Sequence, residues 1–234
     1  MNEKNIVLPG PRLKAAASFI RRGSVLADIG TDHALLPIYA VKNGLATRAL
    51  ATDVNRAPLM RAEANIQKYD VGAYVRCILT PGFDGLGSLG ITDAAICGMG
   101  GELIADIVSS AEFIRTEGFR LIIQPMTRLD AARRGILQAG FSIVSELTVF
   151  DEGKYYTVIC ADFDGICREA DDFFAMFGDF TVKRFESDEV CCGSIKHEIA
   201  KYERIIKGKS TSGIDVSKER EIVTRLSEEL REDR

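Results

Sequence analysis

Residues 25–33 read Val25-Leu26-Ala27-Asp28-Ile29-Gly30-Thr31-Asp32-His33. The stretch begins with the apolar residues of a buried strand and changes at Asp28 to acidic residues, a glycine and an imidazole. Apolar residues then continue at helical spacing from Leu35 to Val41. A strand that ends in an acid and a glycine before a helix is typical of a doubly wound sheet, where ligands bind at the carboxyl ends of the strands. Gly30 would let the backbone approach such a ligand closely.

Length and composition limit the possible classes of protein. The chain has 234 residues, enough for one α/β domain and a small additional domain. No run approaches the roughly 18 apolar residues of a membrane helix, and the segment Met1–Lys4 does not resemble a secretory signal. The six cysteines form no C-x-x-C pair, which disfavours zinc ribbons and disulfide scaffolds and favours a reducing cytoplasm.

Strand and helix patterns alternate along the first two thirds of the chain. The candidate strands are Val25–Ile29, Ala49–Thr52, Tyr74–Leu79, Ala94–Cys97, Leu121–Gln124 and Ser142–Phe150. The candidate helices are Leu35–Lys42, Pro58–Tyr69, Glu102–Ile114 and Leu129–Ala139. Strands separated by single helices predict a parallel sheet with right-handed crossovers.

The pattern changes after Phe150. A turn signal at Asp151-Glu152-Gly153 separates the sixth strand from an apolar run, Lys154–Ala161. Two strands joined by so short a turn are antiparallel neighbours. The sequence therefore predicts an α/β fold of the class I methyltransferase type: a Rossmann-like parallel sheet that ends in an antiparallel hairpin.

The last part of the chain differs from the rest. Two amphipathic helical patterns flank a polar loop at Lys207–Gly213 and predict an antiparallel helical hairpin resembling a short coiled coil. A peripheral helix pair packed on the main domain is the alternative. We therefore predict a cofactor-binding domain at 1–163 and a small helical domain at 164–234.

The first crevice departs from the dinucleotide-binding pattern G-x-G-x-x-G. Asp32 stands where a second glycine is common, and its charge would repel a pyrophosphate. A cofactor without phosphates fits better, such as S-adenosylmethionine, whose cationic sulfonium would be favoured near Asp28 or Asp32. Asp53 follows Gly30 at the spacing of a ribose-binding acid, although it could equally cap the helix that follows.

Three further positions could contact a ligand. The glycines of Gly98-Met99-Gly100-Gly101 would give backbone access to a flat ligand, or else would allow tight packing of strand against helix. The amide of Gln124, before Pro125, could read a base edge or hold the loops. His33 lies with Asp32 in the predicted crevice, whereas His197 on a helix face is interpreted as structural. Two histidines are too few for most metal sites, so no metal is expected.

Charge is unevenly distributed in a chain whose net charge is −4. The N-terminal segment is basic at Arg12, Lys14, Arg21 and Arg22, and residues 162–189 are strongly acidic. A local basic patch can bind phosphate even when the total charge is negative. Any one of these patches could equally be a solvated helix face.

The chain resembles the bacterial tRNA (adenine-22-N1)-methyltransferases along essentially its whole length. The resemblance rests on the following motifs: Arg12-Leu13, Asp28-Ile29-Gly30-Thr31-Asp32-His33-Ala34 with Leu36-Pro37, Gly98-Met99-Gly100-Gly101, Gln124-Pro125 and Glu152-Gly153-Lys154-Tyr155-Tyr156. One motif departs from the family. Its compact R-x-G-D-G-L is interrupted here, because seven residues separate Arg76 from Asp84-Gly85-Leu86.

The resemblance implies methyl transfer from S-adenosylmethionine to N1 of an adenine in tRNA. It implies catalytic roles for Asp32 and His33. It also implies a set of cofactor contacts: Asp28, Ile29, Gly30, Asp53, Val54, Asp84, Gly85, Gly98 and Met99. Substrate contacts would come from Arg12, Gly100, Gly101, Gln124 and Pro125. The partner would be tRNA in the cytoplasm, with no membrane and no metal, and a monomer is slightly favoured.

Two other functions stay open on the sequence alone. One is a methyltransferase that acts on a small molecule or a protein. The other is a noncatalytic RNA-binding module built on a degenerate cofactor fold. A nicotinamide dehydrogenase is disfavoured by Asp32 in the phosphate position.

Overall fold

The computed structural model describes residues 10–181 and 183–232. Within these ranges the chain forms one sheet and eight α-helices. The strands are β1 (Ser24–Ile29), β2 (Ala46–Asp53), β3 (Val75–Leu79), β4 (Asp93–Gly100), β5 (Arg120–Thr127), β6 (Phe141–Asp151), β7 (Lys154–Phe163) and β8 (Lys183–Phe185). The helices are α1 (Gly10–Phe19), α2 (Leu35–Lys42), α3 (Arg56–Lys68), α4 (Gly101–Ser110), α5 (Leu129–Gln138), α6 (Asp172–Phe177), α7 (Asp188–Thr211) and α8 (Ser217–Glu232), with a 3-10 turn at Glu112–Ile114.

The strand order is β3-β2-β1-β4-β5-β7-β6-β8. Strands β1 to β5 are parallel, and β7 runs antiparallel to both β5 and β6. The order reverses between β1 and β4, so a crevice opens at the carboxyl end of β1. The predicted parallel sheet with a terminal antiparallel hairpin is confirmed.

Alternate residues of β1 face opposite sides of the sheet. Leu26 packs in the apolar cluster that contains residues of α1, α2 and α3. Ala27 and Ile29 pack in the cluster that contains residues of α4 and α5. Because helices cover both faces, the strand is apolar almost throughout, and Asp28 is its one acidic member. This carboxyl group lies among buried side chains at the mouth of the crevice.

The β6–β7 hairpin turns through two residues in left-handed conformation. Glu152 has φ +47° and Gly153 has φ +79°. Positive φ at both central residues matches the right-handed twist of the flanking strands. The turn therefore holds Asp151 and Glu152 beside the crevice.

The C-terminal helices pack around their own apolar cluster. This cluster contains Phe173, Phe177, Cys191, Ile195 and Leu226. The predicted loop at 207–213 is wrong over most of its length, because α7 continues to Thr211 and the chain turns at Gly213 with φ +69°. Gly208 is tolerated within the helix, where a glycine costs only about 1 kcal/mol relative to alanine.

Three elements, α1, α6 and β8, were not predicted from the sequence. Helix α1 packs its alanines against the sheet, and β8 pairs in parallel with β6. Helix α6 places Phe173 and Phe177 in the C-terminal apolar cluster. The strand β8 joins the sheet from within the segment predicted as the helical domain, and the boundary at residue 163 stays a prediction. Met1–Lys4, considered above for a secretory signal, lie outside the described residues. Across residues 10–181 and 183–232, none of the helices is long and apolar enough to cross a membrane.

Candidate active site

A cavity of about 480 Å³ opens at the carboxyl ends of β1 and β4, and we refer to it as the crevice. Seven residues predicted as site residues line it: Arg12, Asp28, Gly30, Asp32, His33, Gly98 and Gln124. The structure thus brings together residues from α1, β1, β4, β5 and the loop before α2. Their convergence follows from the parallel sheet, in which carboxyl ends of neighbouring strands share one edge.

Asp28 is the buried acid of the crevice. Its residue is 8% exposed, and burial raises the pKa of its carboxyl group to about 6, partly offset by a hydrogen bond from the Thr31 side chain. Thr31 in turn accepts a hydrogen bond from the N–H of Ala34 at 3.1 Å. A cationic ligand in the crevice would favour the ionised form of this carboxyl group.

Asp32 and His33 form an exposed pair at the rim of the crevice. Nε2 of His33 lies 3.1 Å from Oδ2 of Asp32. Arg61 on α3 donates from Nε to Oδ1 of Asp32 at 3.0 Å and also from a terminal nitrogen. Asn65, one turn further along α3, donates to the backbone carbonyl of His33 at 3.0 Å. Helix α3 therefore fixes both residues of the pair.

Arg12 lies in the wall of the crevice. Its Nε donates to Oδ2 of Asp151 at 2.7 Å, and its guanidinium lies 4.7 Å from the ring centroid of Tyr156. The hydrogen bond with Asp151 raises the pKa of Arg12. These two contacts hold the Arg12 guanidinium in one position in the wall of the crevice. Asp151 also balances much of its positive charge. Arg21, also expected in a basic patch, instead forms an ion pair with the fully buried Asp93.

The glycine-rich segment after β4 combines an open backbone with close packing. Gly98 has φ +82° and lines the crevice. The Met99 methyl group lies against Gly30, where a Cβ would approach it to 2.0 Å. A Cβ on Gly101 would lie 1.9 Å from the carbonyl oxygen of Arg128, so Gly101 serves the packing of α4 against the loop before α5. Gly100 precedes α4 in extended conformation.

Four predicted cofactor residues lie on the same edge of the sheet but outside the lining of the crevice. Asp53 ends β2, and its Oδ1 accepts a hydrogen bond from the N–H of Asn55 at 2.7 Å. Val54 beside it is 59% exposed. Asp84 and Gly85 lie in the loop after β3. In the same loop, the N–H of Thr80 donates to the backbone carbonyl of Asp53 at 3.0 Å. This contact with the N-cap residue of α3 uses one carboxylate oxygen of Asp53, and α3 has no side-chain hydrogen bond that caps its first turn. A ribose role for Asp53 stays a prediction.

Three predicted residues have mainly buried side chains. Gln124 lines the crevice at 2% exposure, and its amide nitrogen donates to the Pro125 carbonyl at 2.9 Å. Pro125 lines a neighbouring groove instead of the crevice. The Ile29 side chain is 2% exposed and belongs to the core on the α4 side. Only the backbone of Ile29 remains for a contact with a ligand.

Sequence reasoning missed several residues of the site. Arg61 and Asn65 are separated by one helical turn on α3, and no local motif connects them with Asp32. Cys97 lines the crevice, where burial and the nearby Asp28 raise the pKa of its thiol. Among residues 10–181 and 183–232, no group of three His, Cys, Asp or Glu side chains could hold a metal ion.

The fold and the crevice together define a methyltransferase of the Rossmann-like class. A family model described as a methyltransferase domain matches residues 10–159. A tRNA (adenine(22)-N(1))-methyltransferase of Bacillus subtilis (strain 168) is 33% identical over 178 residues, which are 73% of this chain and 73% of that protein. The chain belongs to the tRNA (adenine(22)-N(1))-methyltransferase family.

Solved structures agree with this assignment over nearly the full length. Sp1610 of Streptococcus pneumoniae, in complex with S-adenosyl-L-methionine, is 26% identical with a TM-score of 0.78 and covers 94% of this chain and 99% of its own. TrmK of M. capricolum, in complex with the cofactor product S-adenosyl-homocysteine, is 25% identical with a TM-score of 0.74. The match covers 95% of this chain and 96% of the TrmK chain. The likeness therefore includes the C-terminal helices as well as the sheet.

Proposed function

We propose that the chain transfers a methyl group from S-adenosylmethionine to N1 of adenine 22 in tRNA. The observation that carries this proposal is one crevice that joins a buried acid, Asp28, to the exposed pair of Asp32 and His33. The buried Asp28 suits a cationic cofactor, and the pair of Asp32 and His33 lies where a nucleobase can approach from solvent. A small-molecule or protein substrate and a noncatalytic RNA-binding role are the alternatives that the experiment below distinguishes.

The residues of the crevice fit the cofactor. Asp28 is a buried carboxyl group whose ionised form a nearby cation would stabilise. Gly98 has positive φ and nothing lies within 4 Å of the position of a Cβ, so a ligand can approach its backbone closely. Gly30 also has positive φ, and the Met99 methyl group occupies the position of its missing Cβ. Asp53 and Asp84, with Val54 and Gly85 beside them, are proposed for the ribose and the adenine. When bound, the cofactor supplies a methyl group attached to a sulfonium.

Adenine N1 carries a lone pair, so no strong base has to act before the attack. The methylated base is cationic, and a carboxylate near N1 or the exocyclic amine would stabilise the developing charge. Asp32 is our candidate for this role, and His33 orients the base or accepts the later proton. Arg61 holds the Asp32 carboxylate in one orientation. Alignment of the reacting atoms at near-attack distance supplies most of the remaining rate enhancement.

The substrate side of the crevice is assigned to Arg12, Gln124 and the backbone of Gly100, Gly101 and Pro125. A base within folded tRNA must leave its stack to reach this depth. The helical hairpin of α7 and α8 is proposed as a further contact with the RNA, with an affinity that falls as salt rises. The proposal includes a cytoplasmic location, where tRNA is available, and a monomeric state.

The experiment is tritiated-methyl transfer into tRNA, followed by mapping of the labelled position. Wild type is compared with Asp32→Ala and His33→Ala. We expect label at N1 of adenine 22 and a rate reduced about 100-fold or more in Asp32→Ala. Full activity of Asp32→Ala would refute its role, label at another position would refute the adenine assignment, and label in no RNA would favour one of the alternatives. Calorimetry without S-adenosylmethionine binding would support the noncatalytic module.

A further inference from the structure

A second cavity of about 620 Å³ lies between the catalytic sheet and the C-terminal helices, and we refer to it as the groove. Its walls are the β5–α5 loop, the β6–β7 hairpin, β8 and the first half of α7. The volume falls within the range of about 300–1,000 Å³ that is common for ligand sites. The roles assigned above use this space only through Pro125 and through the general contact of α7 and α8 with RNA, and they place no particular nucleotide in it.

The groove and the crevice adjoin the same edge of the sheet at two places, where consecutive residues line one cavity and then the other. On β5, Gln124 lines the crevice and Pro125 lines the groove. In the hairpin turn, Glu152 lines the crevice and Gly153 lines the groove. A chain-like ligand that crosses this edge of the sheet would have one unit in the crevice and neighbouring units at the groove.

The lining of the groove carries an excess of positive charge. Four cationic side chains, Arg128, Lys154, Lys183 and Lys201, and two carboxylates, Asp130 and Glu198, line the groove. Arg128 pairs with Glu102 and Asp130, Lys201 pairs with Glu198 at 2.9 Å, and the partly buried Lys183 donates to the Phe177 carbonyl. Among the described residues, Lys154 is the lining cation that is left without an ion-pair or hydrogen-bond partner for its side chain. This excess lies on a protein whose net charge is −4. Lys154 at the rim is exposed, and it is available to a phosphate. The charge of the groove is thus complementary to a nucleic-acid backbone.

A row of rings runs from the hairpin to α7, in which Tyr155 and His197 line the groove and Phe150 lies beyond its lining. The ring centroids of Phe150 and Tyr155 are 4.9 Å apart, and those of Tyr155 and His197 are 5.9 Å apart. Phe150 is 44% exposed and His197 is also exposed, so both ends of this row are open to solvent. Exposed rings next to cations are the usual means of binding unpaired bases. His197, interpreted from the sequence as structural, belongs to this row.

Gly193 allows α7 to approach the hairpin closely enough to complete the row. A Cβ at this position would lie 2.2 Å from the hydroxyl oxygen of Tyr155. The absence of a side chain therefore lets Tyr155 reach under α7 towards His197. The row of rings depends on this one contact between the two parts of the chain.

We infer that the groove binds the nucleotides next to the target adenine, with a phosphate at Lys154 and a base against the ring of His197. This inference rests on the proposed tRNA substrate and adds a subsite to it. Binding of the flanking nucleotides would keep the target base extruded after it has left its stack, because the neighbouring bases would find new stacking partners.

The first test measures tRNA affinity as a function of salt for the full chain and for Lys154→Ala and His197→Ala. Lys154→Ala should bind tRNA about threefold to tenfold more weakly and should lower the slope of log affinity against log salt by about 1. His197→Ala should weaken binding by a similar factor without a change in slope. Lys68→Ala, which removes an exposed lysine of α3 outside the groove, is the matched control. Affinity for S-adenosylmethionine should stay at the wild-type value in all three variants.

The second test uses tRNA with 4-thiouridine in place of a nucleotide adjacent to the target adenine. Irradiation of the wild-type complex should crosslink this nucleotide to residues of the hairpin or of α7 near His197. Crosslinks confined to other surfaces, or wild-type tRNA affinity in both variants, would overturn the subsite. The failure of the proposed function is distinguishable, because the wild-type chain would then methylate no tRNA at all.

Discussion

Arg61 of α3 donates from Nε to Oδ1 of Asp32 at 3.0 Å, while Oδ2 of the same carboxylate lies 3.1 Å from Nε2 of His33. One carboxylate thus connects a cation on a rigid helix with the imidazole at the rim of the crevice. All three side chains are about half exposed, so such contacts add little to folding stability, typically about 0–1 kcal/mol. We infer that the arrangement serves to orient the Asp32 carboxylate and the His33 imidazole.

Arg61→Gln should lower kcat for tRNA methylation about tenfold, because Asp32 and His33 lose the contact that orients them. The affinity for S-adenosylmethionine and the melting temperature should change little. Arg61→Lys should recover only part of the rate, since a lysine cannot donate from two nitrogens. Single-turnover kinetics and thermal melts measure these quantities.

Arg56→Gln is the matched control for this experiment. It removes one positive charge from an exposed position of the same helix, and the contacts described for Asp32 do not include it. Equal losses of kcat in the Arg56 and Arg61 variants would show that α3 contributes general charge and not orientation.

Cofactor affinity should depend on pH through Asp28. Burial raises the pKa of this carboxyl group to about 6 in the free protein, so it gains a proton as pH falls through 6. The protonated acid no longer attracts a sulfonium, and the affinity for S-adenosylmethionine should therefore fall about tenfold from pH 7.5 to pH 5. Isothermal titration across this range measures the effect.

S-adenosyl-homocysteine provides the control for Asp28, because it carries the same amino acid and nucleoside but no sulfonium charge. Its affinity should vary less over the same pH range. In the variant Asp28→Asn, the affinity for S-adenosylmethionine should vary little over this pH range. An equally steep pH dependence for both ligands in wild type would assign the titration to another group.

Gly101→Ala should destabilise the fold, since its Cβ would lie 1.9 Å from the backbone oxygen of Arg128, which cannot rotate away. Overpacking of this kind costs about 1–3 kcal/mol. A chain of this size should then melt roughly 2–12 °C lower. Thermal unfolding by circular dichroism measures the change.

Gly208→Ala is the opposite case in α7, because nothing lies within 4 Å of its added Cβ. Alanine should raise stability there by up to about 1 kcal/mol through helix propensity alone.

If Gly101→Ala melted at the wild-type temperature and only lost tRNA binding, Gly101 would be a substrate contact and not a packing residue.

The buried ion pair between Arg133 and Glu146 should be essential to the stability of the fold. Both side chains have no solvent exposure, and they are joined by hydrogen bonds of 2.7 and 2.9 Å. Arg133→Met leaves the Glu146 carboxylate buried without its partner, which costs about 3–5 kcal/mol. Denaturant titration measures the free energy of unfolding.

The exposed pair of Arg134 with Asp172 is the comparison for this prediction. Arg134→Met should cost under about 1 kcal/mol. Glu146→Gln combined with Arg133→Met should recover part of the loss, because the uncompensated charge is then absent. If the double variant recovered none of the free energy of unfolding, the loss in Arg133→Met would come from lost packing and not from the unpaired Glu146 carboxylate.

The sequence predicted those parts of the fold that follow from local patterns. The apolar run that ends at Asp28 and the turn at Asp151-Glu152-Gly153 each have a direct structural meaning, and both are confirmed in the sheet. Most residues of the crevice were predictable for the same reason, because the carboxyl ends of parallel strands meet at one edge.

Contacts over long sequence separations were not predictable. Arg61 meets Asp32 only because α3 packs beside the first loop, and its own neighbours in sequence give no sign of this contact. Strand β8 has three residues, too few for a periodic pattern, and it forms because the edge of β6 is available to pair with it. Helix α7 continues through Gly208 because its packing outweighs one weak helix former.

The pairing of β8 with β6 has a consequence for the order of events on the RNA. Three backbone residue pairs, from Glu146 with Lys183 to Thr148 with Phe185, join the base of the helical part to the sheet. These pairs tie the helical part to the sheet through the backbone, so we expect the span from the α7 helix to the crevice to be set before any tRNA arrives. We therefore expect the tRNA to supply the conformational change: the region around the target adenine must distort to match a preformed surface, and transcripts that unfold more easily there should be methylated faster.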